Sequence, residues 1–170
     1  TTVLKGHIQL ETARFLQGCS GQSLDILART PLWEKGFDYN HGTGHGVGYL
    51  LSVHEGPNSF RWRIIQGDNA VLEEGMITSD EPGYYVENQY GIRHENLLVC
   101  KKAEKTSFGQ FMCFEHLTMV PFDLDAVVPE LMTVQERALL NNYHTQVYKK
   151  ISPYLEEEEK EWLKEATREI

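Results

Sequence analysis

The stretch HGTGHGVGYLLSVHEGP, residues 41–57, holds three histidines and five glycines. Imidazole can act as a general base, a proton carrier or a metal ligand, and glycine lets the backbone approach another group closely. His41 and His45 would share one face of a regular strand and His54 the other, so a common site needs a bulge or a strand end between them. The alternative is a glycine-rich turn in which the histidines are incidental.

A second set of chemical groups lies in MITSDEPGYYVENQYGIRHENLLV, where two apolar segments flank a turn. If the hairpin is centred on Asn88, Glu81 faces Glu95 and Gly83 faces Arg93. Two carboxylates about 5 Å apart repel by about 3 kcal/mol at an effective dielectric near 20. A shared proton, Arg93 or a divalent cation would relieve that repulsion. The alternative is a turn centred elsewhere, with both carboxylates in water.

Together the two segments offer one imidazole and two carboxylates as ligands. This donor set suits Mn²⁺, Fe²⁺, Co²⁺ or Zn²⁺ better than metals that prefer thiolates. The remaining histidines could bind substrate or move protons. The chemistry these residues suggest is metal-assisted hydrolysis.

Composition narrows the class of protein. The 170 residues fit one domain or a large part of one, and the net charge of −9 argues against a nucleic-acid-binding surface. No apolar run is long enough for a membrane span. Cys19, Cys100 and Cys113 form no C-x-x-C pair, so we expect reduced, buried thiols in a cytoplasmic protein.

The elements that must position these groups follow from periodicity. Apolar spacing predicts a helix over residues 2–17, and Ser20 begins a second helix that ends at Gly36. Short apolar runs between residues 40 and 115, among them VGYLLSV, predict strands, with a turn at 67–69.

The helical period returns in the C-terminal part of the chain. Thr133 and Glu136 predict a capping box, and Pro153 ends that helix. A last helix follows in EEEEKEWLKEATREI, whose glutamates form a solvated face. The order of elements predicts an α+β fold with an antiparallel sheet.

The motifs HGTGHGVGYLLSVHEGP, DEPGYY and GIRHENLLV resemble those of the long, multi-domain aminopeptidase P (Xaa-Pro aminopeptidase), a pita-bread metallopeptidase. The resemblance extends over nearly the whole chain. It implies a partial pita-bread fold, a curved antiparallel sheet flanked by helices. Residues 1–128 would form the C-terminal part of the catalytic domain, and residues 129–170 a helical extension packed on it.

The resemblance also implies a metal centre. His45, Glu81 and Glu95 match three of the family's five ligands to two ions, usually Mn²⁺, with Zn²⁺ or Co²⁺ as other possibilities. Glu95 matches the ligand that bridges both ions. Glu81 would also take part in catalysis by helping proton transfer.

Further roles follow from the same resemblance. His41 and His54 match histidines that line the substrate site and take part in catalysis, and Arg93 matches an arginine beside the bridging glutamate that we assign to substrate binding. The family removes the N-terminal residue from peptides with proline in second position, through attack by a hydroxide held between two metals. The resemblance implies proline-containing peptides as substrates and a homodimer, while the composition predicts a cytoplasmic protein with neither nucleic acid nor membrane as a partner.

The chain departs from the family in one respect. The two aspartate ligands occur upstream in the family, and Asp25 and Asp38 do not match them. We therefore expect a C-terminal fragment that holds at most one ion weakly and is inactive by itself. One alternative is a non-catalytic dimerisation or binding module with the same half-fold, and another is a metal-free hydrolase similar to creatinase.

Overall fold

A computed structural model describes residues 1–50, 52–64 and 70–170. The described residues form two compact units, Thr2–Leu117 and a unit of Thr118–Ile170 that includes Thr1. The turn predicted at 67–69 lies outside the described residues. No helix in the described part is both long and apolar enough to cross a bilayer.

Two helices begin the larger unit, α1 over Thr2–Glu11 and α2 over Gly21–Trp33. The helix predicted over residues 2–17 is wrong in its second half. The chain leaves the helix after Glu11 because Phe15 and Leu16 pair with a strand of the sheet instead, which buries Phe15 in the core.

The described strands of this unit are β1 Phe15–Leu16, β2 Gly44–His45, β3 Ser59–Phe60, β4 Ile77–Asp80, β5 Gly83–Val86, β6 Tyr90–Arg93, β7 Asn96–Thr106 and β8 Gly109–His116. They form one four-stranded antiparallel sheet, in the order β1-β8-β7-β4, and two separate two-stranded pairs, β2-β3 and β5-β6.

The strand predicted from VGYLLSV is wrong in the part that the structure describes. The Gly48 N–H donates to the Ser52 carbonyl at 2.7 Å, which closes a local turn. At the start of this segment the Val47 N–H donates to the Ile77 carbonyl at 3.3 Å, next to a single bridge between Gly46 and Thr78, but its described residues form no ladder, because the local bond uses backbone that a strand would offer to a neighbour.

The core of this unit lies where α1 and α2 meet the sheet. It buries apolar side chains from both helices and from the strands, including Leu10, Phe15, Leu24, Ala28, Phe60, Leu72, Leu98 and Met112. The predicted α+β class and the curved antiparallel sheet flanked by helices are confirmed.

All three cysteines are free thiols. Cys100 is buried as expected, and burial raises the pKa of its thiol to about 11. Cys19 and Cys113 are only half-buried, which corrects the expectation that all three lie in the interior.

The smaller unit holds α3 over Val134–Ile151 and α4 over Glu157–Ala166. The predicted capping box is confirmed: the Thr133 hydroxyl accepts from the Glu136 N–H at 3.1 Å, and the Glu136 carboxylate accepts from the Thr133 N–H at 2.7 Å. The helix ends at Ile151, as the proline two residues later predicts.

Candidate functional site

The centre of the site is a contact between β2 and the residue that follows β4. His45 Nε2 lies 3.0 Å from Glu81 Oε1. Ser79 supports both residues, because its hydroxyl accepts from the His45 N–H at 3.0 Å and donates to Glu81 Oε1 at 3.0 Å. A Cβ on Gly44 would overlap the Ser79 carbonyl oxygen, so the glycine permits the approach.

A hydrogen bond of the His45 ring defines which of its nitrogens carries a proton. Its Nδ1 lies 3.0 Å from the Gly46 carbonyl oxygen, so Nδ1 carries a proton and donates it there. A neutral ring then directs the Nε2 lone pair at the carboxylate of Glu81. That arrangement needs either a proton or a cation between the two groups.

A divalent metal ion fits this donor pair. Metal-binding histidines commonly donate their other ring N–H to a backbone carbonyl, as His45 does. An imidazole nitrogen and a carboxylate oxygen are suitable ligands for the metals expected from the sequence. His45 and Glu81 are therefore the two predicted ligands that the structure brings together.

The second oxygen of Glu81 belongs to an ion pair. Arg93 Nη1 lies 3.1 Å from Glu81 Oε2, and Arg93 Nε donates to the Tyr85 hydroxyl at 2.9 Å. Burial alone would lower the pKa of Arg93, but Tyr85 and the carboxylates of Glu81 and Glu95 raise it. Arg93 is one of the three predicted ways to relieve the repulsion between Glu81 and Glu95, and Arg93 does contact Glu81.

The register of the hairpin confirms the centre at Asn88, whose φ of 58° lies in the left-handed region. Gly83 pairs with Arg93 in β5-β6, and Asp80 pairs with Asn96 in β4-β7. Glu81 and Glu95 lie between these two ladders, at equal distances from the turn.

The two glutamates differ in environment. Glu81 is buried and Glu95 is exposed. Within the described residues, no three His, Cys, Asp or Glu side chains come close enough to hold a metal ion together. The third predicted ligand, Glu95, therefore does not join His45 and Glu81 in such a group.

The two other histidines lie on either side of this pair. The His54 ring is 4.1 Å from the His45 ring, measured between centroids, although the His54 residue is exposed. His41 Nδ1 lies 2.8 Å from the Gly42 carbonyl oxygen, and its Nε2 lies 2.9 Å from the Tyr85 hydroxyl. With Nδ1 donating to the carbonyl, His41 Nε2 is an acceptor.

One cavity of about 210 Å³ collects the predicted residues other than Glu95. It is lined by His41, Gly42, Gly44, His45, His54, Arg61, Glu81 and Arg93. Three histidines, a carboxylate and two guanidinium groups thus surround a space large enough for part of a small peptide.

Sequence reasoning missed Tyr85, which connects His41 to Arg93. The signal was present in the register: Tyr85 pairs with Gly91, diagonal to Arg93. The Tyr85 ring lies against two glycines of the hairpin. A Cβ on Gly91 would lie 2.7 Å from the ring, and a Cβ on Gly83 would overlap the Tyr85 hydroxyl.

A buried charged cluster, also missed, lies next to Glu81 along the chain. His7 Nδ1 is 3.3 Å from Asp80 Oδ2, and His7 Nε2 is 3.0 Å from Glu11 Oε2. Burial alone would lower the pKa of His7, but Asp80 and Glu11 raise it to about 10. Burial raises the pKa of Asp80 to about 6, against the opposing effect of His7.

Comparison with known proteins places this chain in a family. Residues 1–102 match the profile described as metallopeptidase family M24, and residues 110–170 match the C-terminal region of peptidase M24. A probable Xaa-Pro aminopeptidase P of Coprinopsis cinerea is 45% identical over the whole chain, and aminopeptidase P1 of Arabidopsis thaliana is 44% identical. The chain spans 28% and 27% of these relatives.

The structure of X-prolyl aminopeptidase from Caenorhabditis elegans, described as a cytosolic enzyme with a di-nuclear active site, superposes with a TM-score of 0.89. It is 40% identical, and the match covers all of this chain and 28% of that one. Xaa-Pro dipeptidase from Bacillus anthracis gives a TM-score of 0.54 at 31% identity, over 72% of this chain and 30% of that one.

The fold is that of a pita-bread metallopeptidase. The chain belongs to metallopeptidase family M24. Within that family the resemblance to aminopeptidase P, stated above from three motifs, is confirmed along the whole chain.

Proposed function

We propose that this chain is the C-terminal part of the catalytic domain of a metal-dependent Xaa-Pro aminopeptidase. That enzyme would remove the N-terminal residue from peptides whose second residue is proline. The observation that carries the proposal is the His45–Glu81 contact of 3.0 Å, in which a ring nitrogen directed at a carboxylate offers two ligand atoms to a cation. The relatives named as Xaa-Pro aminopeptidases add support.

The proposed metal is Mn²⁺, with His45, Glu81 and Glu95 as ligands. Two such ions in the complete domain would activate water and polarise the carbonyl before proline. The remaining two ligands would be aspartates supplied from outside this chain. By itself the chain would hold at most one ion weakly and would be inactive, because only His45 and Glu81 converge among the described residues.

The other site residues would act on the peptide. His41 presents Nε2 as a hydrogen-bond acceptor beside the cavity and could take a proton from the substrate or return it. His54 would contact the substrate next to His45. Arg93 would form an ion pair with Glu81 through their 3.1 Å contact and contribute positive charge to the substrate site. Glu81 would assist proton transfer.

We also propose how the complete protein is organised. Residues 1–128 would belong to the catalytic domain and residues 129–170 to a helical extension. The protein would be cytoplasmic, in keeping with the cytosolic enzyme of Caenorhabditis elegans, and it would form a homodimer.

The test is to express the chain together with the upstream part of the domain and to assay release of the N-terminal residue from a Xaa-Pro-Xaa peptide. We expect activity that depends on Mn²⁺ and that Glu81→Gln abolishes. Lys102→Gln, at an exposed ion pair with Glu74, is the control that retains activity. An inactive longer protein, with Mn²⁺ present, would reject the proposal.

Light scattering of the 170-residue chain, with and without Mn²⁺, distinguishes the proposed enzyme from a binding or dimerisation module. A dimer that forms without metal, together with no hydrolysis by the longer protein, would favour a binding or dimerisation module.

A further inference from the structure

Arg29 of α2 is a buried charge with an unusually full set of partners. Its side chain is 1% exposed. Nε donates to Asp25 at 2.6 Å, and Nη1 donates to Asp38 at 2.7 Å. The other two bonds go to backbone: Nη1 donates to the Tyr39 carbonyl and Nη2 to the His41 carbonyl, both at 2.9 Å.

The two carbonyls belong to a segment that no helix or ladder holds. Residues 37–43 connect α2 to β2 outside regular secondary structure. Backbone bonds of a sheet or helix therefore do not fix where His41 lies. The Arg29 guanidinium fixes the position of His41 instead, because it binds the backbone carbonyl of His41 and that of Tyr39, two residues earlier.

Ring contacts also restrain the imidazole of His41. The Arg29 guanidinium lies 3.9 Å from the centroid of the Tyr39 ring, and the Tyr39 ring lies 4.8 Å from the His41 ring. The Tyr39 hydroxyl is hydrogen-bonded to Thr43, whose hydroxyl is in turn hydrogen-bonded to Asp25. Arg29 and its partners thus hold both the backbone and one ring face of His41.

We propose that Arg29 is a positioning residue that sets the place and tautomer of His41, so that Nε2 remains directed at the Tyr85 hydroxyl and the cavity. This inference rests on the proposed function in assigning His41 a part in hydrolysis. Lysine could not replace arginine here, because a single ammonium group cannot reach two carboxylates and two carbonyls in the planar fork that guanidinium provides.

The first test uses the 170-residue chain without any substrate. Histidine side-chain ¹⁵N NMR reports the tautomer of each ring. In Arg29→Lys we expect the His41 signals to shift toward a mixture of the two tautomers, while His45 signals stay unchanged. Arg137→Lys is the matched control, since Arg137 also donates to two backbone carbonyls, those of Pro129 and Met132.

Two outcomes would overturn the inference. One is an unchanged His41 tautomer in Arg29→Lys, and the other is an equal change at His41 and His45. If Arg29→Lys does not fold, Asp38→Ala replaces it, because Asp38 is 42% exposed and binds the same guanidinium. The His41 signals should then shift in the same direction by a smaller amount, and no shift would also overturn the inference.

The second test uses the longer protein. Arg29→Lys should lower kcat by about 10- to 100-fold, the size expected when a reacting group is displaced by about 1 Å, with little change in KM. An unchanged kcat would count against positioning. If the wild-type longer protein is inactive, the proposed function fails, whereas the NMR result still decides the role of Arg29.

Discussion

Because of the buried His7 cluster, we expect this chain to lose stability as the pH becomes alkaline. His7 is completely buried between Asp80 and Glu11, and these carboxylates raise its pKa to about 10 from an ordinary value of 6.5. Between these two pH values the folded chain keeps the His7 proton and the unfolded chain releases it. The contribution is therefore fully present below pH 6.5 and is lost as the pH rises through about 10.

The expected magnitude follows from this one proton. The free energy of unfolding should fall by about 1.4 kcal/mol per pH unit, or about 4 kcal/mol from pH 7 to pH 10. Asp80 does not oppose this trend, because its pKa of about 6 places its own contribution below that window. A loss of this size is a large part of the stability of a small domain.

The assay is urea unfolding followed by circular dichroism at pH 7, 8, 9 and 10, for the wild type and for the double variant His7→Gln/Asp80→Asn. The double variant replaces the buried ion pair by two neutral hydrogen-bonding groups. We expect it to lose about 1.4 kcal/mol per pH unit less than the wild type between pH 7 and pH 9.

A parallel variant controls for lysines and other groups that titrate in the same range. Glu74→Gln/Lys102→Gln neutralises an exposed ion pair and should keep the wild-type slope. Equal slopes in the wild type and in His7→Gln/Asp80→Asn would refute the reasoning.

Three further predictions concern stability. Gly44→Ala should destabilise the chain by more than about 3 kcal/mol in urea unfolding, because its Cβ would overlap a backbone carbonyl, whereas the nearest atoms to a Cβ at Gly42 belong to the guanidinium end of Arg61, at 3.1 Å or more, so that Gly42→Ala should cost far less. Equal costs would contradict the close approach. Thr133→Ala should cost about 1 kcal/mol through loss of the helix cap, measured in the same way, and no loss would contradict a stabilising cap. Burial lowers the pKa of His144 to about 4, so the free energy of unfolding should fall as the pH drops from 6.5 toward 4. His144→Gln should reduce that fall and the exposed His54→Gln should not; identical acid slopes would contradict this.

The sequence predicted the local features correctly where neighbouring residues decide the structure. The capping box at Thr133 depends on two side chains three residues apart. The register of the hairpin follows from the turn at Asn88, because one left-handed residue and strict alternation fix which residues face one another. From that register the sequence also indicated that Arg93 could neutralise Glu81.

Local patterns were misleading where tertiary contacts compete with them. Residues 12–17 continue a helical period, but burying Phe15 in the core and pairing it with β8 stabilises the fold more than another helical turn would. The histidine-rich stretch looked like a strand, but among its described residues only Gly44 and His45 pair in a ladder, and Gly46 adds a single bridge to Thr78.

What the sequence by itself determined is the kind of chemistry: which side chains can bind a metal, and which of them lie on one hairpin. Only the tertiary structure decided which groups meet. His45 reaches Glu81 because a glycine lets β2 approach β4, and Arg29 reaches His41 because α2 packs beneath the connecting segment. These partners are 36 and 12 residues apart, and burial holds them together through contacts that no sequence spacing encodes.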